Sequence, residues 1–169
     1  GKRLATSSED ETVHVWNVAD GKIVKVFADH TYPVQGVAFS PDGRLIASAA
    51  GDETRVTKPG EVIVRDSVSG KPIATWRDHK KAATGVAFSP DGMVIAAGGQ
   101  DGVVRLWRQD PAAESGWSDF AALDANSYRI SQLAFAAGGG RLVATTTDNG
   151  IRLFDMATQA EIELPEDAE

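Results

Sequence analysis

The heptapeptide VAFSPDG occurs twice in this chain, at residues 37–43 and again at 86–92. Such a duplication constrains the fold more than any other feature, because a catalytic motif is seldom doubled within one domain whereas a structural unit often is. The frame extends well beyond seven residues. Phe39, Phe88 and Phe135 fall 49 and 47 residues apart, and the third copy is degraded: LAFAAGGGRLVAT (133–145) stands where VAFSPDGMVIAAG (86–98) stood. His30, His79 and Asn126 each precede their phenylalanine by nine residues. A third anchor runs through TVHVWN (12–17), VIVRD (62–66), VVRLWR (103–108) and IRLFD (151–155), with 14 residues both from Trp16 to His30 and from Arg65 to His79. Three anchors in one frame define a repeated supersecondary unit.

Each unit reads as four short β-segments. GVAF (36–39 and 85–88) is a small, apolar strand. In SPDG, proline presets the second turn position and glycine takes a positive φ at little cost, so the stretch closes a hairpin. RLIAS (44–48) or MVIAA (93–97) returns as the second strand, an Asp-containing turn such as SEDET (8–12) or QDG (100–102) leads to the third, and KIVKVF (22–27) or KPIATW (71–76) forms the fourth. Val62-Ile63-Val64 and Val103-Val104 are apolar at consecutive positions, which implies burial on both faces. Four-stranded sheets covered on both sides and repeated along a chain stack radially as a β-propeller. A β-sandwich explains neither the period of about 48 residues nor the recurrent histidine offset.

On these residues the sequence resembles the WD-repeat β-propeller family over essentially the whole chain, as about three and three-quarter repeats. The resemblance implies an all-β partial propeller of about four blades, each a four-stranded antiparallel sheet. It reads 1–169 as one segment, with blades at approximately 1–29 (lacking its first strand), 30–78, 79–125 and 126–169. The family ties its blades with a His, Ser/Thr, Asp, Trp hydrogen-bonded tetrad. Carried over by position, the first blade offers Ser8, Asp10 and Trp16, with its histidine and first strand expected upstream of Gly1. The second has His30 but Arg65 in place of tryptophan. The third has His79, Asp101 and Trp107, with Gly99 at the expected hydroxyl position. The fourth has Thr146 and Asp148, with Asn126 for histidine and Phe154 for tryptophan. No blade carries all four.

Two insertions interrupt the frame. Phe39 to Arg65 spans 26 residues against 19 from Phe88 to Trp107, which places an extra loop at about Gly51–Glu61; a further five residues enter around 110–117. Family topology puts the first on the top face and the second on the bottom, where Trp117 is expected to cover its own blade. Loops carry function more often than scaffold does.

The sequence nominates no catalytic residue, no metal ligand set and no cofactor. The Asp29-His30 and Asp78-His79 pairs resemble a general base with its orienting carboxylate, but they recur at one offset from one hairpin, as structural residues do. His14 alternates with Val13 and Val15 and reads as a surface or blade-packing side chain. Gly138-Gly139-Gly140 lacks the lysine of a phosphate-binding loop and replaces the Pro-Asp-Gly turn. A net charge of −7 and a pI near 4.9 oppose nucleic-acid binding. The basic group Arg77, His79, Lys80 and Lys81, broken by Asp78, reads as a solvated loop. No apolar run reaches the roughly 20 residues of a membrane span. The absence of cysteine excludes disulfides and leaves the compartment open, with a cytoplasmic one favoured.

What is left is surface. The resemblance implies protein or peptide partners at the top-face loops. The matching positions lie three and five residues after each histidine equivalent: Pro33 and Gln35, Ala82 and Thr84, Arg129 and Ser131. Glu9, Gln100 and Thr147 precede the turn aspartates on the same face, and Tyr32 and Tyr128 add aromatic contacts. The chain starts Gly1-Lys2-Arg3, inside a strand and without methionine, and is read as a piece of a longer propeller or multidomain protein. The expected role is a non-catalytic binding scaffold. One alternative is a half-propeller that completes a ring as a homodimer through its terminal blades. The other is a recognition module attached to a catalytic domain outside this chain.

Overall fold

A computed structural model of the chain describes residues 1–54, 58–126, 128–148 and 150–164. Residues 55–57 of the first insertion and 165–169 of the last repeat therefore lie outside the described residues. The strands form four antiparallel sheets in chain order, as expected for a partial propeller of about four blades. The first sheet has three strands, β1 (Arg3–Ser7), β2 (Val13–Asn17) and β3 (Ile23–Phe27). The second comprises β4 (Val34–Phe39), β5 (Leu45–Ala50), β6 (Gly60–Asp66) and β7 (Pro72–His79). The third comprises β8 (Ala83–Phe88), β9 (Val94–Gly99), β10 (Val103–Gln109) and β11 (Trp117–Asp124), and the fourth β12 (Ile130–Phe135), β13 (Arg141–Thr146), β14 (Ile151–Asp155) and β15 (Glu161–Ile162).

The SPDG hairpin forms for a local reason. Ser40 Oγ donates to Asp42 (2.6 Å), the Arg44 amide donates to the same carboxylate (3.0 Å), and the Gly43 amide closes on the Ser40 carbonyl (2.8 Å) at φ 72°. Ser89, Asp91 and Gly92 repeat the arrangement. The degraded copy loses the serine and aspartate yet keeps the turn. Gly139 takes φ 71° and its amide bonds the Ala136 carbonyl at 2.8 Å.

The consecutive apolar positions are covered on both faces because the sheets stack. Val13, Val15 and Phe27 of the first sheet meet Val34, Ile46 and Ala50 of the second. Ala47, Ala49, Val62 and Val64 on the second sheet's other face meet Val86, Phe88, Ile95 and Trp107. Ala96, Val104 and Leu106 then meet Ile130, Leu142, Ala144 and Phe154. Trp76 of β7 stacks on Trp107 of β10 with ring centroids 4.3 Å apart. Trp117 is buried edge-on to Phe88 of its own sheet, at 6.5 Å. Small residues set the spacing between sheets. A Cβ on Gly51 would lie 2.3 Å from the Ala82 Cα, and one on Gly60 would lie 2.2 Å from the Ala83 amide nitrogen.

One local expectation is corrected. β7 does not stop near Trp76 but continues through Arg77, Asp78 and His79, so that stretch is strand rather than loop. The cause is the first insertion. Its chain re-enters the sheet early, at Gly60, and gives His79 a pairing partner.

Candidate functional site

Pairing registers identify equivalent positions in the four sheets. Leu4, Ile46, Ile95 and Leu142 sit opposite Trp16, Arg65, Trp107 and Phe154 respectively. Two residues further along each strand lie Thr6, Ser48, Ala97 and Ala144, on the face that carries the buried polar relays. In the first sheet the Trp16 indole donates to Thr6 Oγ1 at 2.9 Å. The hydroxyl bonded to the tryptophan is thus Thr6, while Ser8 receives the Asp10 amide at 3.4 Å in the following turn. In the second sheet His30 stands between Ser48 Oγ (Nε2, 2.7 Å) and Glu61 (Nδ1, 2.7 Å), and Glu61 also pairs with Arg77. In the third sheet His79 Nδ1 lies 3.1 Å from Asp101, but His79 Nε2 is buried with no hydrogen-bond partner because Ala97 stands where Ser48 does. Gly99 is not the hydroxyl position. A Cβ there would lie 2.4 Å from His79 Nδ1 and 2.5 Å from Asp101 Oδ1, so glycine lets that pair close. In the fourth sheet Thr146 donates to Asp148, Phe154 is buried, and Asn126 is exposed at φ 58°.

The order Ser48–His30–Glu61 is that of an activated nucleophile. Ser48 is fully buried and His30 only 5% exposed, so no substrate reaches them, and the arrangement serves as an internal tie.

The loop rim has a geometry of its own. Glu53, in the connection from β5 to β6, reaches over the third sheet and pairs with Arg129 ahead of β12 (2.9 Å from Nη1 to Oε2). Gln100 Nε2 lies 3.5 Å from the Glu53 carbonyl. Glu9, Tyr128, Ser131 and Thr147 are exposed, Tyr32, Pro33, Gln35, Gln100 and Arg129 partly so. Arg152 lies over the Tyr128 ring at 5.9 Å. Ala82 and Thr84, by contrast, do not face solvent. Ala82 is covered by Gly51, and Thr84 is buried with its hydroxyl donating to the Ile130 carbonyl at 2.6 Å, which ties the third sheet to the fourth.

A family model described as "WD domain, G-beta repeat" matches residues 21–54 and 70–108. Two stretches of the chain therefore match WD repeats. It is 27% identical over 95% of its length to nuclear distribution protein PAC1 of Coccidioides posadasii, of which it spans 36%. It is 29% identical over 95% of its length to the WD repeat-containing protein 26 homolog of Arabidopsis thaliana, of which it spans 26%. Over 37% of its length it is 47% identical to eukaryotic translation initiation factor 3 subunit I of Aspergillus fumigatus, spanning 18% of that protein.

Two relay members escaped sequence reasoning, and the insertion hid one of them. Glu61 lies four residues before Arg65, whereas Asp101 lies six before Trp107, so the usual offset passes over it. Ser48 was legible as a strand residue but not as the partner of His30. Ala97→Ser is expected to supply the missing partner of His79 Nε2 and raise stability by about 1 kcal/mol, the usual net value of an intramolecular hydrogen bond. Urea denaturation measures it; unchanged or lowered stability would count against the assigned register.

Acid acts on the same relays. Burial pushes the Glu61 carboxyl up, but the hydrogen bond and charge of His30, with Arg77, outweigh it and hold the group below the ordinary 4.5. Burial likewise raises Asp101, and His79 with the Lys80 and Val103 amides brings it below the ordinary 3.8. A carboxyl depressed in the folded state contributes stability above its unfolded value and loses it as pH falls through the folded one. Stability is therefore expected to fall as pH drops below about 4.5, and Glu61→Gln to flatten part of that acid limb. Denaturant titrations from pH 7 to pH 3 check both; an acid limb identical in Glu61→Gln would contradict the assignment.

Proposed function

We propose that this chain is a non-catalytic scaffold, with blades at approximately 1–29, 30–78, 79–125 and 126–169, that holds a protein or peptide on its loop rim. The observation that carries the reading is the Glu53–Arg129 bridge. It fixes an insertion from the second blade across the third onto the fourth, and so holds Gln100, Arg129 and the exposed Tyr128 in one place. A rigid rim with an aromatic and an arginine has the composition of residues that dominate protein interfaces. The relatives' names support a WD-repeat role of this kind, and the buried state of Ser48 and His30 supports the absence of catalysis.

The test is a selection of displayed peptides on the purified chain, followed by affinity measurement on variants. Enriched peptides are expected to bind Tyr128→Ala and Arg129→Glu at least tenfold more weakly than wild type, with Val68→Asp at the opposite end unchanged. Enriched peptides insensitive to both rim variants would overturn the reading, as would a selection that enriches none.

A further inference from the structure

Residues 77–81 read Arg-Asp-His-Lys-Lys, and the two lysines serve neither the buried relays nor the rim. The fold itself does not call for cations there. Thr31 and Tyr32 follow His30, and Tyr128 stands two residues after Asn126, whereas Lys80 and Lys81 hold these positions after His79. A third ammonium joins them through the first insertion. Gly60 pairs with His79, and a Cβ on it would stand 2.2 Å from the Ala83 amide nitrogen and 2.5 Å from the Lys81 carbonyl oxygen. Lys58, two residues ahead of Gly60, is thereby held at the same end of β7. Lys58 and Lys80 are exposed and Lys81 is partly so. The nearby carboxylates are committed elsewhere. The Glu61 side chain is 2% exposed and held by His30 and Arg77. That of Asp101 is buried against His79 and accepts the Lys80 amide at 2.9 Å. Among the described residues Lys58, Lys80 and Lys81 have no ion-pair partner. Arg77 stays 59% exposed while it pairs with Glu61, and exposed Asp78 is the opposing charge within the run.

We propose that Lys58, Lys80 and Lys81, with the outward side of Arg77, form a docking surface for a short acidic segment of a partner protein. Charge complementarity selects that partner. The chain as a whole carries −7, so the patch is a local cation on an anionic molecule. A nucleic acid gains affinity by having many phosphates neutralised along its length. Such a polyanion would run off the patch onto a repelling surface, whereas a segment of a few Asp or Glu residues ends within it. Exposed charges of this kind steer encounter and choose partners more than they add affinity, and salt screens them. The contact is therefore weak, fast and salt-sensitive. It lies at the carboxyl end of β7 and uses none of the residues assigned to the rim.

The probe is fluorescein-labelled hexaglutamate, titrated with the whole chain and read by fluorescence anisotropy. At about 20 mM ionic strength it is expected to saturate below about 1 mM protein, and to bind at least fivefold more weakly at about 150 mM. The Lys80→Glu, Lys81→Glu double variant is expected to lose at least tenfold in affinity and Lys58→Glu severalfold. Asp78→Asn removes the opposing charge and is expected to bind at least twofold more tightly. Lys71→Glu is the control. It makes the same change in net charge at an exposed lysine just ahead of β7, at the strand's other end, and is expected to stay within twofold of wild type. The proposal is overturned by Lys71→Glu weakening the probe as much as the double variant does, since attraction would then be diffuse. An unchanged affinity in Asp78→Asn, or no saturation by about 1 mM, also overturns it. Tighter binding of a six-residue oligouridylate than of hexaglutamate would assign the surface to nucleic acid and overturn it likewise. Tyr128 and Arg129 take no part, so failure here leaves the rim reading standing.

Discussion

Trp107→Ala is expected to cost about 4 kcal/mol of stability, within the range for truncating a buried aromatic. Trp16→Ala, at the same place in its repeat, is expected to cost less than about 1 kcal/mol, as surface changes do. The difference is positional, not chemical. Trp107 is 1% exposed, stacked on Trp76 and enclosed among Ala47, Val62, Val64 and Ile95. Trp16 lies on the outward face of the first sheet, with Leu4, Ile23 and Val26 around 50% exposed beside it. Guanidinium denaturation of both variants gives the comparison. Equal losses would mean that something covers the first sheet as fully as the third, and the stacking order described here would be wrong.

The second large effect concerns an ion pair. Asp29→Ala is expected to destabilise by about 3 kcal/mol, and Arg65→Met by clearly less. Arg65 occupies the position that holds tryptophan or phenylalanine in the other sheets and is only 1% exposed. Its Nη1 bonds both Asp29 oxygens, at 2.6 and 2.8 Å, and its guanidinium lies 4.8 Å from the Phe27 ring centre. Nε and Nη2 have no partner. Removing the carboxylate leaves a buried cation uncompensated, whereas methionine fills the space without a charge and leaves Asp29, 40% exposed, to water. The order of the two variants in denaturant decides the point. A larger loss for Arg65→Met would show that packing on Phe27, not compensation of charge, holds the first two sheets together.

Much of this was readable from the repeat alone. The Phe, His and Trp anchors gave the number of sheets, their four-stranded form and the strand missing from the first. The SPDG turn needed no tertiary information, since its bonds lie within six residues. The relay was harder, because strands have a period of two. Ser8 and Thr146 are hydroxyl residues two positions beyond Thr6 and Ala144, and a sequence frame cannot separate neighbours on one face. Inter-sheet packing was harder still. Ala82 and Thr84 share the offset of rim residues, yet the insertion that begins at Gly51 passes directly over Ala82, and the fourth sheet caps Thr84. Glu53, which fixes the rim, sits in that insertion and carries no repeat signal at all. Its role depends on Arg129, 76 residues away.

Three closed sheets and one open sheet form the centre of this account, and hydrogen exchange resolved to single strands tests it most directly. Amides of β9, whose Ile95, Ala96 and Ala97 are all 0% exposed between two further sheets, are expected to exchange only with global opening. Amides of β1 are expected to exchange about a hundredfold faster, by local fraying of an uncovered edge. Equal protection of β1 and β9 would contradict the account, because it would require a fourth strand already seated on the first sheet.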